Sequence, residues 1–224
     1  MSTLTVVGAT GLVGSQFVAL ARSTALPNIT AITALSRHPI ESAAESVVPF
    51  TNTVTQDLLA SLPSTTKILF SGLGTTKGTA GSFEKQYDID YRLNLEIAKA
   101  AKAAGASTYV IVSASTASAD SRIAYSRMKG ELDRDVSALG FDTTIILRPG
   151  LILGERTENR PAERIFMKLF YGLEKVPVIG GMLANVGNKA EDIAKAALVT
   201  IQNGEKGVHI IDPENINKLA KEFK

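Results

Sequence analysis

A short apolar run ends at Val7 and is followed at once by Gly8-Ala9-Thr10-Gly11-Leu12-Val13-Gly14, three glycines spaced three apart. A side chain at Gly8 or Gly11 would keep the backbone from approaching a pyrophosphate, while Gly14 lets the following helix lie close on the sheet. The start of that helix offers unpaired N–H groups and the positive end of its dipole to phosphate oxygens. Gly8, Thr10, Gly11, Leu12, Val13 and Gly14 are therefore the candidate phosphate-binding turn. The plain alternative is a tight strand–helix turn that binds nothing. Its place at the first strand–helix junction of an alternating chain argues for binding.

The rest of the chain keeps that alternation. Apolar, β-rich runs at Thr3–Val7, Ile29–Leu35, near Ser46–Pro49, and at Lys67–Phe70, Tyr109–Val112, Thr143–Leu147 and Val208–Ile211 alternate with helical periodicity. This predicts an α/β class with a doubly wound parallel sheet. Val13, Phe17, Leu20 and Ala21 share one helical face after the glycine turn. A long helix over Phe83–Ala104 is expected to turn Ile89, Leu93, Ile97, Ala100 and Ala104 inward. Further helices are expected at Arg122–Leu139 and Asp192–Gln202, with a short polar helical tail.

Residues 154–188 break the rhythm, with Pro161, Pro177 and Gly180-Gly181 around one helix-like run, Ile165–Leu173. They read as a small insertion covering the substrate cleft at the carboxyl ends of the strands. No repeat or linker divides the 224 residues, so one domain over 1–224 is expected.

Composition removes several functions. With no cysteine and two separated histidines, His38 and His209, disulfides, thiol nucleophiles and thiolate or histidine-rich metal sites are excluded, and no metal is expected. A net charge of +2 does not mark a nucleic-acid partner. No apolar run reaches the ~20 residues of a membrane span. The strand pattern begins at Thr3, which leaves no room for a targeting segment.

The second strand ends in Leu35-Ser36-Arg37-His38, where NAD-preferring folds place an acid for the ribose hydroxyls. Arg37 can instead clamp a 2′-phosphate and Ser36 add a hydroxyl contact, which favours NADP(H); the plainer reading of Arg37 is a solvated surface residue. Asp57 either accepts from the adenine amino group or caps a helix before Leu58-Leu59. After the fourth strand, Gly72, Leu73, Gly74 and Thr75 are small enough to let the cofactor's ribose and nicotinamide pass close to the backbone.

Tyr125 and Lys129 lie four apart on a helix and so share a face. A phenol of ordinary pKa ~10 is a poor acid–base catalyst at neutral pH. A nearby ammonium, with the positive nicotinamide of an oxidised cofactor, favours tyrosinate. The same lysine can bond the nicotinamide ribose. The pair follows a strand whose end carries Ser113-Ala114-Ser115, where either serine can hold a substrate carbonyl. The next strand ends in Arg148-Pro149-Gly150-Leu151, where Pro149, Gly150 and Leu151 can orient the nicotinamide amide. Alone, Tyr-x-x-x-Lys most often decorates a helix; the three neighbours in one chain make a site of it.

These residues resemble the short-chain dehydrogenase/reductase superfamily in its atypical, extended-like branch. More specific stretches are Lys85–Asp90, Asp120–Arg122, Met128–Val136 and Leu147–Thr157. They resemble the fungal Fmp-type proteins of the mitochondrial outer membrane and their animal relative, the Tat-interactive oxidoreductase. The resemblance implies a Rossmann fold, NADP(H), and a Ser–Tyr–Lys set on Ser113 or Ser115, Tyr125 and Lys129. It places Asp90 where many superfamily members carry a proton-relay asparagine. It also implies the cytosolic face of the mitochondrial outer membrane, the cytoplasm being the plain alternative.

The apolar face Ile165, Phe166, Leu169, Phe170, Leu173, with Arg164, Lys168 and Lys175 nearby, is read either as a cleft lid or as peripheral membrane contact. By analogy with the superfamily, the helices Phe83–Ala104 and Arg122–Leu139 are the candidates for a homodimer contact. The expected activity is oxidoreduction of a small carbonyl or alcohol substrate. A rival is an NADPH-sensing scaffold without turnover, and a third reading is an epimerase or dehydratase with a retained cofactor.

Overall fold

The chain builds β1 (Ser2–Val7), α1 (Leu12–Ser23), β2 (Ile29–Ser36), β3 (Phe50–Val54), β4 (Ile68–Ser71) and α2 (Lys77–Ala80). Then come α3 (Phe83–Tyr87), a π-helix (Asp88–Leu93), α4 (Asn94–Ala103), β5 (Thr108–Val112), α5 (Ala124–Ser137), β6 (Thr143–Leu147) and β7 (Leu151–Leu153). β8 (Gly187–Lys189), α6 (Ala190–Asn203), β9 (Gly207–Ile211) and α7 (Pro213–Glu222) complete it. The computed structural model describes residues 2–40, 45–154 and 187–223. Most of the expected insertion, including Ile165–Leu173, lies outside the described residues.

Seven strands form one sheet in the order β3-β2-β1-β4-β5-β6-β9, every neighbouring pair parallel. This is the expected doubly wound Rossmann sheet, with the order reversing between β1 and β4. The central strands β4 and β6 are buried throughout, as a parallel sheet covered on both faces requires. One face packs on α1 and α6 around Phe17 and Phe70, whose rings stack at 3.8 Å. The other packs on α4 and α5 around Ile97, Tyr109, Leu132 and Ile146.

Two expectations are corrected. The strand read near Ser46–Pro49 begins instead at Phe50, which pairs with Ile32. Proline has no N–H for a ladder, and here the Pro49 carbonyl accepts from Ile32 N just before the strand starts. The inward stripe of the long helix is also different. The π-helix adds a residue to its turn, so the buried side chains are Gln86, Asp90 and Asn94, then Ile97, Ala98 and Ala101. Of the five residues expected inward, Ile97 is buried and Ile89, Leu93, Ala100 and Ala104 are half-buried. The pairing of β7 with β8 and the short α2 have no counterpart in the sequence reading. No helix of the described residues is long and apolar enough to cross a membrane.

Candidate active site

The glycine turn sits at the point where strand order reverses, against the loop that leaves β4. Gly8 has φ +72°, and a Cβ there would lie 2.5 Å from the carbonyl carbon of Gly72. A Cβ on Gly14 would lie 2.1 Å from the Gly8 carbonyl oxygen. The protein itself therefore demands glycine at both, whatever the turn binds. Gly11 is different: its backbone is ordinary, φ −74°, and the nearest atom to an added Cβ is 3.2 Å away. Thr10 and Gly11 are exposed; Gly11 precedes α1 as its N-cap without a side-chain cap, and its own N–H donates to the Gly8 carbonyl at 3.0 Å. The helix N–H groups that follow, with no side-chain cap, fit phosphate oxygens.

At the end of β2, Ser36 is buried and its hydroxyl is engaged. It donates to the His38 carbonyl at 2.6 Å and accepts from Asn52 Nδ2 at 2.7 Å. Asn52 also accepts from Ile40 N at 2.8 Å. Ser36 thus shapes the loop rather than offering the direct ligand contact expected of it, and Arg37 is exposed beside it, as are His38 and Pro39. Asp57 Oδ1 accepts from Ala60 N at 2.9 Å, closing a turn. That is the capping alternative in a shorter form, for no helix follows.

The loop after β4 is held by the polar face that the π-helix creates. Thr75 N donates to Asp90 at 2.7 Å, and Gln86 Nε2 donates to the Thr75 carbonyl at 3.1 Å. Asn94 accepts from Ser71 and donates to the Leu73 carbonyl at 3.4 Å. Gly72, Leu73, Gly74 and Thr75 are pinned along their length, with Gly74 exposed. Asn94 also donates to the carbonyls of Ile89 and Asp90. It is a buried asparagine one turn beyond the Asp90 that was read as its replacement.

α5 brings the remaining candidates together. Tyr125 is 39% exposed at its first turn, and Lys129 one turn on is buried, donating to the Val112 carbonyl at 3.1 Å. Asp133, a further turn along, is buried and paired with Arg148 at 2.9 Å. The two serines are separated by burial. Ser113 is enclosed, its hydroxyl beside the Asp133 carboxylate, whereas Ser115 is exposed. The Ser115 loop rests directly on α5 at Gly130, where a Cβ would lie 2.2 Å from Ser118 C and Ala119 N. Beyond β6, Pro149 accepts from Ser115 N at 2.8 Å, and Leu151 enters β7. Gly150 N is bonded to Asn188 Oδ1 at 3.0 Å, so that N–H is not open to a nicotinamide amide as expected; Leu151 is half-buried.

In the protein without cofactor, burial sets the electrostatics of the site. Burial raises the Tyr125 phenol above its ordinary value, with Asp90 and then Asp133 adding to the rise. Burial lowers the Lys129 ammonium, opposed by Asp90 and then Asp133. Burial raises Asp90, with Lys129 and the Thr75 N–H opposing. Lys129 points its bond at the Val112 carbonyl, so the lowering of the phenol expected from the pair is not present before a cofactor is bound.

Sequence reasoning missed Asn94, Asp133, Arg148, Gly130 and Asn188. Spacing offered a signal for Asp133, which continues the four-residue step from Tyr125 through Lys129. Gly130 stood out as a glycine inside a helix. Asn188 gave no signal, because its partners Gly150, Pro213 and Asn217 are distant in sequence.

A family model described as HIM1 matches residues 22–175. The protein fmp52-1, mitochondrial, of Aspergillus terreus is 38% identical over 238 residues, covering 99% of this chain and all of the relative. Fmp52, mitochondrial, of Emericella nidulans is 42% identical over 209 residues, 85% of this chain and 89% of its own. Among solved structures, a short-chain dehydrogenase/reductase of Saccharomyces cerevisiae superposes with TM-score 0.66 at 14% identity, covering both chains fully. The Bordetella bronchiseptica enzyme WbmF in complex with NADH gives 0.64 at 16% identity, over 99% of this chain and 76% of that one. These structural likenesses concern the fold.

Proposed function

Given that the chain belongs to the HIM1 family together with the fungal Fmp52 proteins, we propose that it is an NADP(H)-dependent oxidoreductase of the short-chain dehydrogenase/reductase type. Its substrate is a small carbonyl or alcohol. The observation that carries this reading is that exposed Tyr125 stands one turn before buried Lys129 on α5, with the loop that bears exposed Ser115 packed on the same helix at Gly130.

The N–H groups of Leu12 and Val13 would hold the pyrophosphate, with Gly11 leaving room for its approach, Arg37 the 2′-phosphate and the Gly72–Thr75 loop the nicotinamide ribose. When bound, the cofactor supplies or accepts the hydride. Ser115, exposed where Ser113 is enclosed, donates its hydroxyl to the substrate oxygen. Tyr125 gives its phenolic proton to that oxygen in reduction and takes it back in oxidation. Lys129, with two ammonium hydrogens beyond the one on Val112, meets the ribose and favours tyrosinate.

The test is a panel of aldehydes and ketones with NADPH oxidation as the signal. Tyr125→Phe should abolish turnover, a loss of about 100-fold or more, while NADPH binding stays nearly intact. Full turnover in that variant would overturn the assignment. A second reading, an NADPH-sensing protein without turnover, predicts instead that wild type and Tyr125→Phe both bind NADPH and neither turns over any compound. The relatives' names support a mitochondrial location, and within it we propose the cytosolic face of the outer membrane. Protease treatment of intact mitochondria should digest it, and protection until the outer membrane is opened would reject that face.

A further inference from the structure

Asp133 and Arg148 take no part in the proposed hydride transfer, yet they form a buried bond close to it. Asp133 lies two turns beyond Tyr125 on α5, and Arg148 directly follows β6. Arg148 Nε stands 2.9 Å from Asp133 Oδ2, with the two side chains 26% and 3% exposed. Side chains alternate along a strand, so Arg148 leaves β6 on the side of Ile146, the side that α5 covers. A buried ion pair stabilises a fold little more than two apolar side chains of similar size would. It differs in direction, because the bond holds only while donor and acceptor face each other at one distance.

Two frames meet at this bond. Ser113 N donates to the Leu147 carbonyl at 2.7 Å and Ser115 N to the Pro149 carbonyl at 2.8 Å. The loop bearing Ser115 is therefore carried by the residues on either side of Arg148. Tyr125 belongs to the other frame, α5. Lys129 bonds that helix to Val112, and Gly130 rests on Ser118 and Ala119. Those two residues are neighbours and act as one pivot; Asp133, a turn further on, sets the direction of the helix about it. From Asp133 back to Tyr125 the helix runs eight residues, about 12 Å. A swing of α5 at Asp133 is thus delivered to the phenol, while Ser115 stays with β6.

We propose that Asp133 and Arg148 are a positioning pair that fixes the direction of α5 against β6, and with it the place of Tyr125 relative to Ser115. The effect on catalysis rests on the oxidoreductase reading; the mechanical tie does not.

Asp133→Leu/Arg148→Met removes both charges at similar volume and is expected to fold. Amide hydrogen exchange of the full chain, without cofactor, reads the tie. The Ser115 N–H is expected to exchange about 10-fold faster or more, with Leu69 and Val110 in the central strands unchanged. A pair that only stabilised the fold would quicken all three together, through global opening. Unchanged exchange at Ser115, or an equal rise at Leu69 and Val110, would sink the proposal. Should the double variant fail to fold, Asp133→Asn, which keeps an acceptor oxygen without the charge, is read by the same outcomes. With the compound that wild type reduces fastest, kcat in the folded variant should fall on the order of 100-fold, while NADPH affinity, set at the glycine turn and Arg37, stays unchanged. A kcat equal to that of wild type rejects the positioning role. If wild type reduces no compound, the oxidoreductase reading fails by itself, and exchange at Ser115 alone decides the pair.

Discussion

Asn188 Oδ1 accepts the backbone N–H of Gly150 at 3.0 Å, and the same amide donates to the Pro213 carbonyl and to Asn217 Oδ1. One fully buried side chain thus joins the loop after β6 to the start of α7. Asn188→Ala strands two half-buried backbone groups and should cost about 1–3 kcal/mol, the range for one fully buried group left unpaired. Urea denaturation checks this. A loss below about 0.5 kcal/mol, the range of ordinary surface changes, would mean the amide is dispensable.

Gly11 and Gly14 make a contrasting pair. Gly14→Ala puts a methyl 2.1 Å from the Gly8 carbonyl and should destabilise the chain or prevent folding. Gly11→Ala meets nothing nearer than 3.2 Å and should change stability by less than about 1 kcal/mol. Its loss should appear instead as weaker NADPH binding, read by quenching or enhancement of the cofactor's fluorescence. Equal affinity in Gly11→Ala and wild type would remove the turn from the phosphate site.

Arg37→Gln separates the two nicotinamide cofactors. A charge-assisted bond to a phosphate contributes about 1.5–3 kcal/mol, or roughly 10- to 150-fold in affinity. NADPH binding should weaken by that factor while NADH binding stays unchanged. Calorimetric titration of both cofactors measures it, and equal losses for the two would refute 2′-phosphate recognition.

The depressed Lys129 ammonium predicts a pH effect on stability. Its folded-state pKa is below the ordinary 10.5, so between that lowered value and 10.5 the unfolded chain binds more protons and stability rises with pH. Below that window both states are protonated and the cost of burial is carried in full. Lys129→Met removes the titration. The difference in unfolding free energy, wild type minus variant, should therefore grow in favour of wild type as the pH approaches 10.5. A flat difference would mean the ammonium is not desolvated.

The sheet and the glycine turn were legible because each depends on local pattern: runs of buried residues, and glycines at a junction. Tyr125 and Lys129 were legible for the same reason, a single helical step. The choice between Ser113 and Ser115 was not, since burial of one and exposure of the other follows from packing against Asp133 and Gly130. Ser36 was misread because its partner Asn52 belongs to a different strand. The helix stripe failed for a deeper reason. Periodicity assumes one constant turn, and the polar face of Gln86, Asp90 and Asn94 exists because that turn changes at Asp88.

The wide turn at Asp88–Leu93 also makes the chain sensitive to length in a way few helices are. Deleting one residue there would let an ordinary α-helix run through, and everything beyond the deletion would rotate by about 100° relative to what precedes it. The helix would survive with its hydrogen bonds closed. Asp90 and Asn94 would no longer face the β4 loop together. With Ile97, Ala98 and Ala101 held in the core, the polar residues before the deletion would be the ones to swing off the loop, so that a single codon ties the site's architecture to the packing of the helix.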